Sequence, residues 1–248
     1  MSVSQRPYYS WYTAMHTRVD ILLCANDSED TKELQHISNE IRNEIKRIEC
    51  LANRFDPQSE LSTVNRNAFL SETAVSTELC TIIKDCLYYH QLTEGYFDIT
   101  VNSLNNLRNG ISLIELDVNR HTIRYLHPDL QIDLSGYIKG YALRKIKELL
   151  IRYEIDNALI NLGNSSILAM GNHPCGEGWK LESTTLFNEC LTTSGNTSGH
   201  LHIIDPVSGN YVQPAKPVSV VTVDPVLGEV FSTALYVKKN LARLNTEV

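Results

Sequence analysis

The sequence predicts an α+β fold, in which mixed or antiparallel sheets and packed helices form a single domain over residues 1–248. Several segments place apolar residues at intervals of three and four, which is typical of amphipathic helices. Short apolar runs bounded by turn residues indicate strands, and they are most frequent in the last third of the chain. With 42% apolar and 21% charged residues, the 248-residue chain has the composition of a globular protein long enough for one large domain.

The N-terminal half is predicted to contain a strand, a helix, a loop and a second helix. "VDILLC", residues 19–24, has the apolar run of a strand. The isoleucines at 37, 41, 45 and 48 then share one face of a predicted helix. "DPQSELSTVNRNA" is predicted to be a polar loop. The second helix is expected from about Ser76 to Gln91, with Ser76 as its N-cap and Gly95 as its stop.

The C-terminal half is predicted to be richer in strands. "SLIELDVNRHTIRYL" predicts a hairpin that turns at Asn119-Arg120. A strand, a turn and a helix follow at residues 132–150. "NALINLG", "SSILAMG", "LHIIDP" and "VSVVTV" are further predicted strands, and "EVFSTALYVKKNLARL" is a predicted terminal helix.

Charge and composition exclude several classes of protein. The net charge of −7 argues against a general binder of nucleic acid or anionic membrane, because both need a basic face. No segment reaches about 18 consecutive apolar residues, so no transmembrane segment is expected. The N-terminus lacks an export signal, which predicts a cytoplasmic protein, or an exported one if a signal has been removed. The six cysteines form no CxxC pair, so we expect reduced thiols, mainly in the core, and no zinc site.

The segment "IDLSGYIKGYALRKIKELL", residues 132–150, contains more polar and small residues than the start of a helix needs. After a strand-to-helix turn, the first helical N–H groups lack intrahelical partners, and together with the helix dipole they form an anion site. Gly136 lets a ligand approach the backbone, and Lys139 adds a positive charge. Asp133 suits a hydroxyl or ring N–H donor, or a position near a metal.

The same segment also has a purely structural interpretation. Asp133 or Ser135 caps the helix in that case, and Lys139 is solvated. Gly140, inside the helix, costs about 1 kcal/mol relative to alanine. It therefore hints at close packing or at a closely approaching ligand.

Further polar residues lie elsewhere in the chain. Glu229 and Thr233 are four residues apart in "GEVFSTAL", so on a helix they share a face. A carboxylate and a hydroxyl are oxygen ligands that Mg²⁺ accepts when phosphates and waters complete its shell. "GYFDIT" contains Asp98 beside aromatic residues, and "HLHIIDP" places His202 just before a turn. A lone histidine or threonine in such places is more often structural.

These segments, in this order, resemble the flavin transferases of the ApbE family (FAD:protein FMN transferases) over nearly the whole chain. "TAMHTRVDILL" resembles the family's A-M-G-T strand, "ANRFDPQSELSTVN" its "STYRPDSELSRLN" loop, and "GYFDITV" its G-A-F-D-P-T-V. "IDLSGYIKGYA" resembles D-L-G-G-I-A-K-G-Y-A, and "NALINLGNS" resembles A-L-V-N-L-G-G-N. "LTTSGN", "HIIDPVSG" and "VTVDPVLGEVFSTAL" resemble the family's last three motifs. The resemblance implies a T-fold-like α+β domain.

The resemblance also implies an activity and a site. Such an enzyme binds FAD as substrate with Mg²⁺, cuts its pyrophosphate, joins FMN to a threonine or serine hydroxyl of an acceptor protein, and releases AMP. The implied FAD contacts are Met15, Phe55, Tyr96, Phe97, Asp98, Asp133, Lys139 and Ile203. The implied metal ligands are the backbone oxygen of Gly136 and the side chains of Glu229 and Thr233. His202 and Lys139 would lie close to the chemistry.

The chain departs from the family pattern at several of these positions. Glu229 replaces the usual aspartate, which moves the carboxylate roughly 1.5 Å further out. His16 replaces a glycine, Phe55 a tyrosine and Tyr96 a small residue, while Asn102 and its neighbour replace Gly-Pro. Two other functions therefore stay open: a hydrolase that splits FAD to FMN and AMP, and a degenerate relative that only binds a flavin nucleotide.

Overall fold

The structure is a computed structural model that describes residues 7–24, 31–182 and 184–244, with side chains described up to residue 239. Its helices are α1 Thr31–Ala52, α2 Glu60–Asn67, α3 Thr77–Leu92, α4 Ile138–Arg152 and α5 Pro225–Leu244. Its strands are β1 Tyr8–Ala14, β2 Thr17–Cys24, β3 Thr73–Ala74, β4 Ile114–Asp117, β5 Thr122–Tyr125, β6 Asn157–Leu162, β7 Ser166–Met170, β8 Trp179–Lys180, β9 Thr185–Leu186, β10 Glu189–Ser194 and β11 Val218–Thr222. The predicted α+β fold is confirmed.

The chain divides into two compact units, which are described separately. The first comprises the described residues of Met1–Ile48, together with Ile138–Thr193 and Ser219–Glu229. The second comprises Glu49–Tyr137, Ser194–Val218 and the described residues of Val230–Val248. One domain over residues 1–248 stays a prediction.

A six-stranded sheet forms the first unit, in the order β1-β2-β6-β7-β10-β11. The pairs from β1 through β10 are antiparallel. In β2, Val19, Ile21 and Leu23 are fully buried and Arg18 is exposed, so one face of the strand lines a core. The predicted strand at 19–24 is confirmed and begins two residues earlier, at Thr17.

Helix α1 follows its predicted pattern. The isoleucines at 37, 41, 45 and 48 are all buried. Helix α4 also forms as predicted, and its buried residues include Ala142, Ile146 and Leu150. Ile138, the first residue of the helix, is only partly buried.

The second unit contains a three-stranded antiparallel sheet in the order β3-β5-β4. The predicted hairpin forms, with residues 118–121 joining β4 to β5. Ser76 caps α3 as predicted, because its Oγ accepts a hydrogen bond from the Leu79 N–H at 3.1 Å. Gly95 ends the helical region with φ of +83° and donates its N–H to the His90 carbonyl.

Four local predictions were wrong. "DPQSELSTVNRNA" is not a loop throughout, because Ser59 caps α2 by accepting from the Ser62 N–H. "IDL" and "LHIIDP" are extended but do not form strands; Asp133 N–H bonds to Ile99, and the second segment has only an isolated bridge between Ile204 and Tyr211. The terminal helix begins one turn before Glu229, at Pro225. Strand β1 was not predicted at all.

The cysteines are free, as expected, and most of them are buried. All six cysteines are free: Cys24, Cys80, Cys86 and Cys190 are buried, and Cys50 and Cys175 are exposed. Over the described part of the chain, no helix has the length and apolar character that a membrane crossing requires.

Candidate active site

In the first unit, Lys139 lies in the first turn of α4 and points to a serine rather than to solvent. Its Nζ donates to the Ser165 Oγ at 3.0 Å, and the side chain is only partly exposed. Ser165 immediately precedes β7, so the sheet fixes the position of the acceptor. The expectation that Lys139 is merely solvated is therefore wrong.

Glu229, on α5, is the buried carboxylate of the same unit. The Ser166 Oγ donates a short hydrogen bond to its Oε1, and the glutamate is 6% exposed. Burial raises the pKa of Glu229 to about 7, while the Ser166 hydrogen bond and the Lys139 charge act in the opposite direction. A cation bound beside Glu229 would therefore readily displace the proton of its carboxyl group.

Gly140 lets α4 and α5 approach closely beside Glu229. A Cβ added at Gly140 would lie 2.6 Å from the Pro225 carbonyl oxygen and 2.7 Å from the Glu229 Cγ. The close packing that Gly140 hinted at in the sequence is therefore present. This contact confines the aliphatic part of the glutamate side chain.

In the second unit, Asp133 is the centre of a polar network. The Asn102 Nδ2 donates to its Oδ2 at 2.6 Å, and the Arg54 Nε lies 3.1 Å from the same oxygen, although it is not aligned for a hydrogen bond. The Ser135 N–H donates to Oδ1 at 2.8 Å, which fixes the turn before α4. Asp133 therefore stabilises the local turn, as the structural interpretation proposed, and also holds an arginine and an asparagine.

The "GYFDIT" segment is fixed by hydrogen bonds within the second unit. The Asp98 Oδ1 accepts from both the N–H and the hydroxyl of Thr100, each at 2.6 Å. Phe97 is 3% exposed, so its ring belongs to the core. Tyr96 is partly exposed, with the Lys238 Nζ 5.2 Å from its ring centroid.

Phe55 is the most accessible of the predicted flavin-contacting aromatics. Its ring is 65% exposed, and the Arg54 guanidinium lies 4.6 Å from the ring centroid. An exposed ring backed by an arginine can stack on a base.

Gly136 and Thr233 lie together in the second unit. A Cβ added at Gly136 would be 3.9 Å from the Thr233 Oγ1. The Ser194 Oγ contacts the same Thr233 hydroxyl at 3.3 Å and the Ser232 hydroxyl at 2.8 Å. Because Glu229 and Thr233 are one turn apart on α5, the predicted pair shares a helix as expected.

Asn196 organises the loop that contains His202 and Ile203. Its buried side-chain oxygen accepts from the N–H groups of both residues at 3.0 Å, and its Nδ2 donates to the Ile203 and Val212 carbonyls. The His202 ring stacks on His200 at 4.9 Å between centroids. The backbone of the "HLHIIDP" segment is therefore held by an asparagine instead of a strand.

Met15 and His16 form the two-residue turn between β1 and β2. Both have left-handed backbones, with φ of 50° and 57°, a conformation that favours glycine. Met15 is partly buried and His16 is exposed. The histidine at the family's glycine position thus points its bulk outward from the turn.

The contacts gather the predicted residues into separate local groups. Lys139 and Glu229 interact electrostatically in the first unit, and Gly136 adjoins Thr233 in the second. Met15, Phe55 and Asp98 have other contact partners. Sequence reasoning missed four polar side chains that hold these groups: Arg54, Asn102, Ser166 and Asn196.

The oxygen donors suit a hard divalent cation such as Mg²⁺. A buried carboxylate, a helical hydroxyl and a backbone carbonyl at a glycine are the ligand types that Mg²⁺ accepts. Among the described residues, no three His, Cys, Asp or Glu side chains gather into a metal-binding cluster. A cation held by Glu229, Thr233 and Gly136 would therefore depend on substrate phosphates and water for its remaining ligands.

Solved structures with the same α+β fold are flavin transferases. The Vibrio cholerae flavin transferase ApbE has a TM-score of 0.80 at 21% identity, covering 96% of this chain and 90% of that one. The apo Pseudomonas stutzeri flavinyl transferase ApbE has a TM-score of 0.81 at 18% identity, covering 97% and 89%. At these identities the likeness shows the fold.

The family follows from the sequence comparison. The model of the ApbE family matches residues 15–246, so the chain belongs to the ApbE family. The relatives include FAD:protein FMN transferases of Chlamydia muridarum, 27% identical over 76% of this chain and 71% of that protein, and of Vibrio cholerae, 26% identical over 79% and 70%.

Proposed function

We propose that this protein is an FAD:protein FMN transferase that uses Mg²⁺, attaches FMN to a threonine or serine hydroxyl of an acceptor protein, and releases AMP. The relatives named FAD:protein FMN transferase support the reaction class. The observation that carries the proposal further is the buried Glu229, one helical turn from a threonine that adjoins Gly136. A buried carboxylate and a hydroxyl at this spacing have the chemistry of a Mg²⁺ site.

The reaction breaks the phosphoanhydride bond of the FAD pyrophosphate and forms a phosphoester bond to the acceptor. The acceptor hydroxyl oxygen forms a bond to the phosphorus of the FMN half, and the bond from that phosphorus to the bridging oxygen breaks, with AMP as the leaving group. His202 takes the hydroxyl proton in this proposal, since a neutral imidazole nitrogen can accept a proton. Asn196 fixes the backbone that presents this histidine.

Lys139 and the proposed metal ligands serve to neutralise the negative charge of the pyrophosphate. Lys139 neutralises negative charge on the phosphate oxygens, and the Ser165 hydroxyl orients its ammonium group. Mg²⁺, held by Glu229, Thr233 and the Gly136 carbonyl, would supply further charge neutralisation at the pyrophosphate. The chain's own residues then serve to align the pyrophosphate with the acceptor hydroxyl.

The predicted flavin contacts fall into two kinds. Phe55 has an exposed ring that can stack on the adenine, and Asp133 holds Asn102 and Arg54 beside the turn before α4. Phe97 and Ile203 are buried, so they would contact FAD through their backbone. Met15, Tyr96 and Asp98 complete the proposed set.

A labelling experiment with matched lysine variants tests this proposal. Purified protein is mixed with FAD, Mg²⁺ and an acceptor protein that contains the family's target threonine, and covalent flavin fluorescence on the acceptor is measured after denaturation. Lys139→Met should lower the labelling rate by about 10² to 10³. Lys145→Met is the control, since Lys145 lies on the same helix but pairs with Glu148 at the surface. An unlabelled acceptor with the unmodified protein would contradict the proposal.

A further inference from the structure

Ser166 is the residue that directly contacts the buried carboxylate of Glu229. Its hydroxyl donates to the Glu229 Oε1, and Ser166 itself is 0% exposed. Ser166 is the first residue of β7, all five residues of which are buried. Neither the family motifs nor the spacing of the sequence predicted a role for it.

Gly140 confines Glu229 from the other direction. A Cβ added at Gly140 would lie 2.7 Å from the Glu229 Cγ, and it would also meet the Pro225 carbonyl. A glutamate has one more rotatable bond than an aspartate, so its carboxylate has more positions to choose from. The Gly140 backbone fixes the aliphatic part of the side chain, and the Ser166 hydroxyl fixes one of its two carboxylate oxygens.

We propose that Ser166 is a positioning residue. It holds the carboxylate of Glu229, whose side chain is longer than the family's aspartate, in the position of the cation ligand. This inference rests on the proposed Mg²⁺-dependent function. A carboxylate oxygen that accepts a hydrogen bond can also bind a cation. Outer hydrogen bonds of this kind orient metal ligands, and their loss typically costs about 10- to 100-fold in metal affinity.

Retention of Mn²⁺ measures this role without relying on catalysis. Free Mn²⁺ is counted by electron paramagnetic resonance at a fixed FAD concentration, and a protein-free FAD solution is subtracted. Ser166→Ala should weaken Mn²⁺ retention by about tenfold or more. Ser166→Thr, which keeps the hydroxyl, should stay close to the unmodified protein. Ser166→Cys keeps the volume and loses a good donor, so it replaces Ser166→Ala if that variant does not fold.

A second buried serine of the same unit provides the matched control. Ser38 is 5% exposed and its hydroxyl contacts the Ser10 hydroxyl at 2.7 Å. Ser38→Ala therefore removes a part-buried hydrogen bond between two hydroxyls and should leave Mn²⁺ retention within about threefold of the unmodified protein. A general loss of packing would affect both alanine variants alike.

Substitution of Ser166 in a protein that already carries Glu229→Asp tests whether the role of Ser166 depends on the length of the Glu229 side chain. Glu229→Asp shortens the side chain by roughly 1.5 Å, so the carboxylate no longer reaches Ser166 from the same backbone position. In that background, adding Ser166→Ala should change Mn²⁺ retention by less than about threefold, and the two substitutions are then non-additive.

The outcomes separate the inference from the proposed function. Tighter Mn²⁺ retention by the unmodified protein than by Ser166→Ala, with recovery in Ser166→Thr, supports the inference. Equal retention by the unmodified protein, Ser166→Ala and Ser38→Ala overturns the inference and leaves the metal site in place. If the unmodified protein retains no Mn²⁺ beyond the FAD solution, the metal-dependent function fails and the inference fails with it.

Discussion

At the scale of single residues, polar side chains and a glycine contact two residues that depart from the family pattern. Glu229 replaces the family's aspartate and is accommodated by Gly140 and Ser166. Asn102, which stands where the family has Gly-Pro, donates to Asp133. Substitutions that look like losses in the sequence therefore have partners in the fold. Each of them can be tested by removing one side chain.

The pKa of Glu229 predicts a pH dependence of stability in the metal-free protein. A carboxyl whose pKa rises from 4.5 to about 7 on folding contributes stability that is complete below about pH 4.5 and is lost as the pH rises through 7. Between pH 5 and pH 8, the free energy of unfolding should fall on the order of 3 kcal/mol more in the unmodified protein than in Glu229→Gln. Urea denaturation in the presence of EDTA measures this, and equal pH profiles would contradict it.

Loss of the Thr233 hydroxyl should remove metal-dependent turnover without unfolding the protein. Thr233→Val keeps the shape of the side chain but removes an oxygen donor, so we expect turnover to fall by about 10² or more. The control is Thr81→Val, because Thr81 is also a helical threonine but is exposed and bonds to the Thr77 carbonyl. Unchanged turnover in Thr233→Val would remove Thr233 from the mechanism.

At the scale of elements, side-chain periodicity and caps explain which predictions succeeded. Helix α1 is predictable because its isoleucines repeat every turn, and α3 because Ser76 caps it. Helix α2 is short and mostly polar, so its sequence pattern predicts a helix only weakly. Its formation depends more on tertiary contacts than on that pattern. Strand β1 was missed because its alternation is formed by aromatic and hydroxyl residues that are at most half-buried.

The extended segments were mistaken for strands for a different reason. "IDL" and "LHIIDP" have the apolar residues of strands, but their backbone partners are single groups, such as the Ile99 carbonyl and the Asn196 side chain. The sequence alone does not distinguish extended chain that pairs with a sheet from extended chain held by one buried asparagine.

The packing of α4 against α5 predicts an asymmetric response to alanine at two glycines. Gly140→Ala should destabilise the protein by about 1–3 kcal/mol, because the new Cβ meets the Pro225 carbonyl and the Glu229 side chain, despite its better helix propensity. Gly176→Ala should be nearly neutral, since a Cβ there meets no atom within 4 Å. Thermal denaturation measures both, and equal effects would contradict the close approach.

The N-cap of α2 gives a second prediction for an element. Ser59 is 1% exposed, accepts from the Ser62 N–H and donates to the Asn53 carbonyl. Ser59→Ala should lower the free energy of unfolding by about 1–2 kcal/mol, because both groups lose a partner. Ser59→Asp, which can still cap the helix, should lose less. A smaller loss for alanine than for aspartate would show that the cap is unimportant.

At the scale of the whole molecule, membership of the ApbE family supports assigning the local groups of residues to one proposed function. The collinear motifs allowed the sequence to indicate the family and the proposed ligands. Ser166 and Arg54 could not be predicted, because each acts on a residue far away in the sequence. Asn196 acts on residues only six and seven positions away, through contacts between its side chain and their backbone. Such contacts depend on the fold and leave no periodic signal.

The amount of AMP released per FMN attached distinguishes flavin transfer from hydrolysis and from binding alone. Protein, FAD, Mg²⁺ and the threonine-containing acceptor are incubated, and AMP and acceptor-bound flavin are quantified in the same sample, with and without EDTA. Transfer predicts equal molar amounts of the two products, and neither in EDTA. AMP without labelled acceptor would show hydrolysis, and bound FAD without AMP would show a binding protein; either result would contradict a flavin transferase.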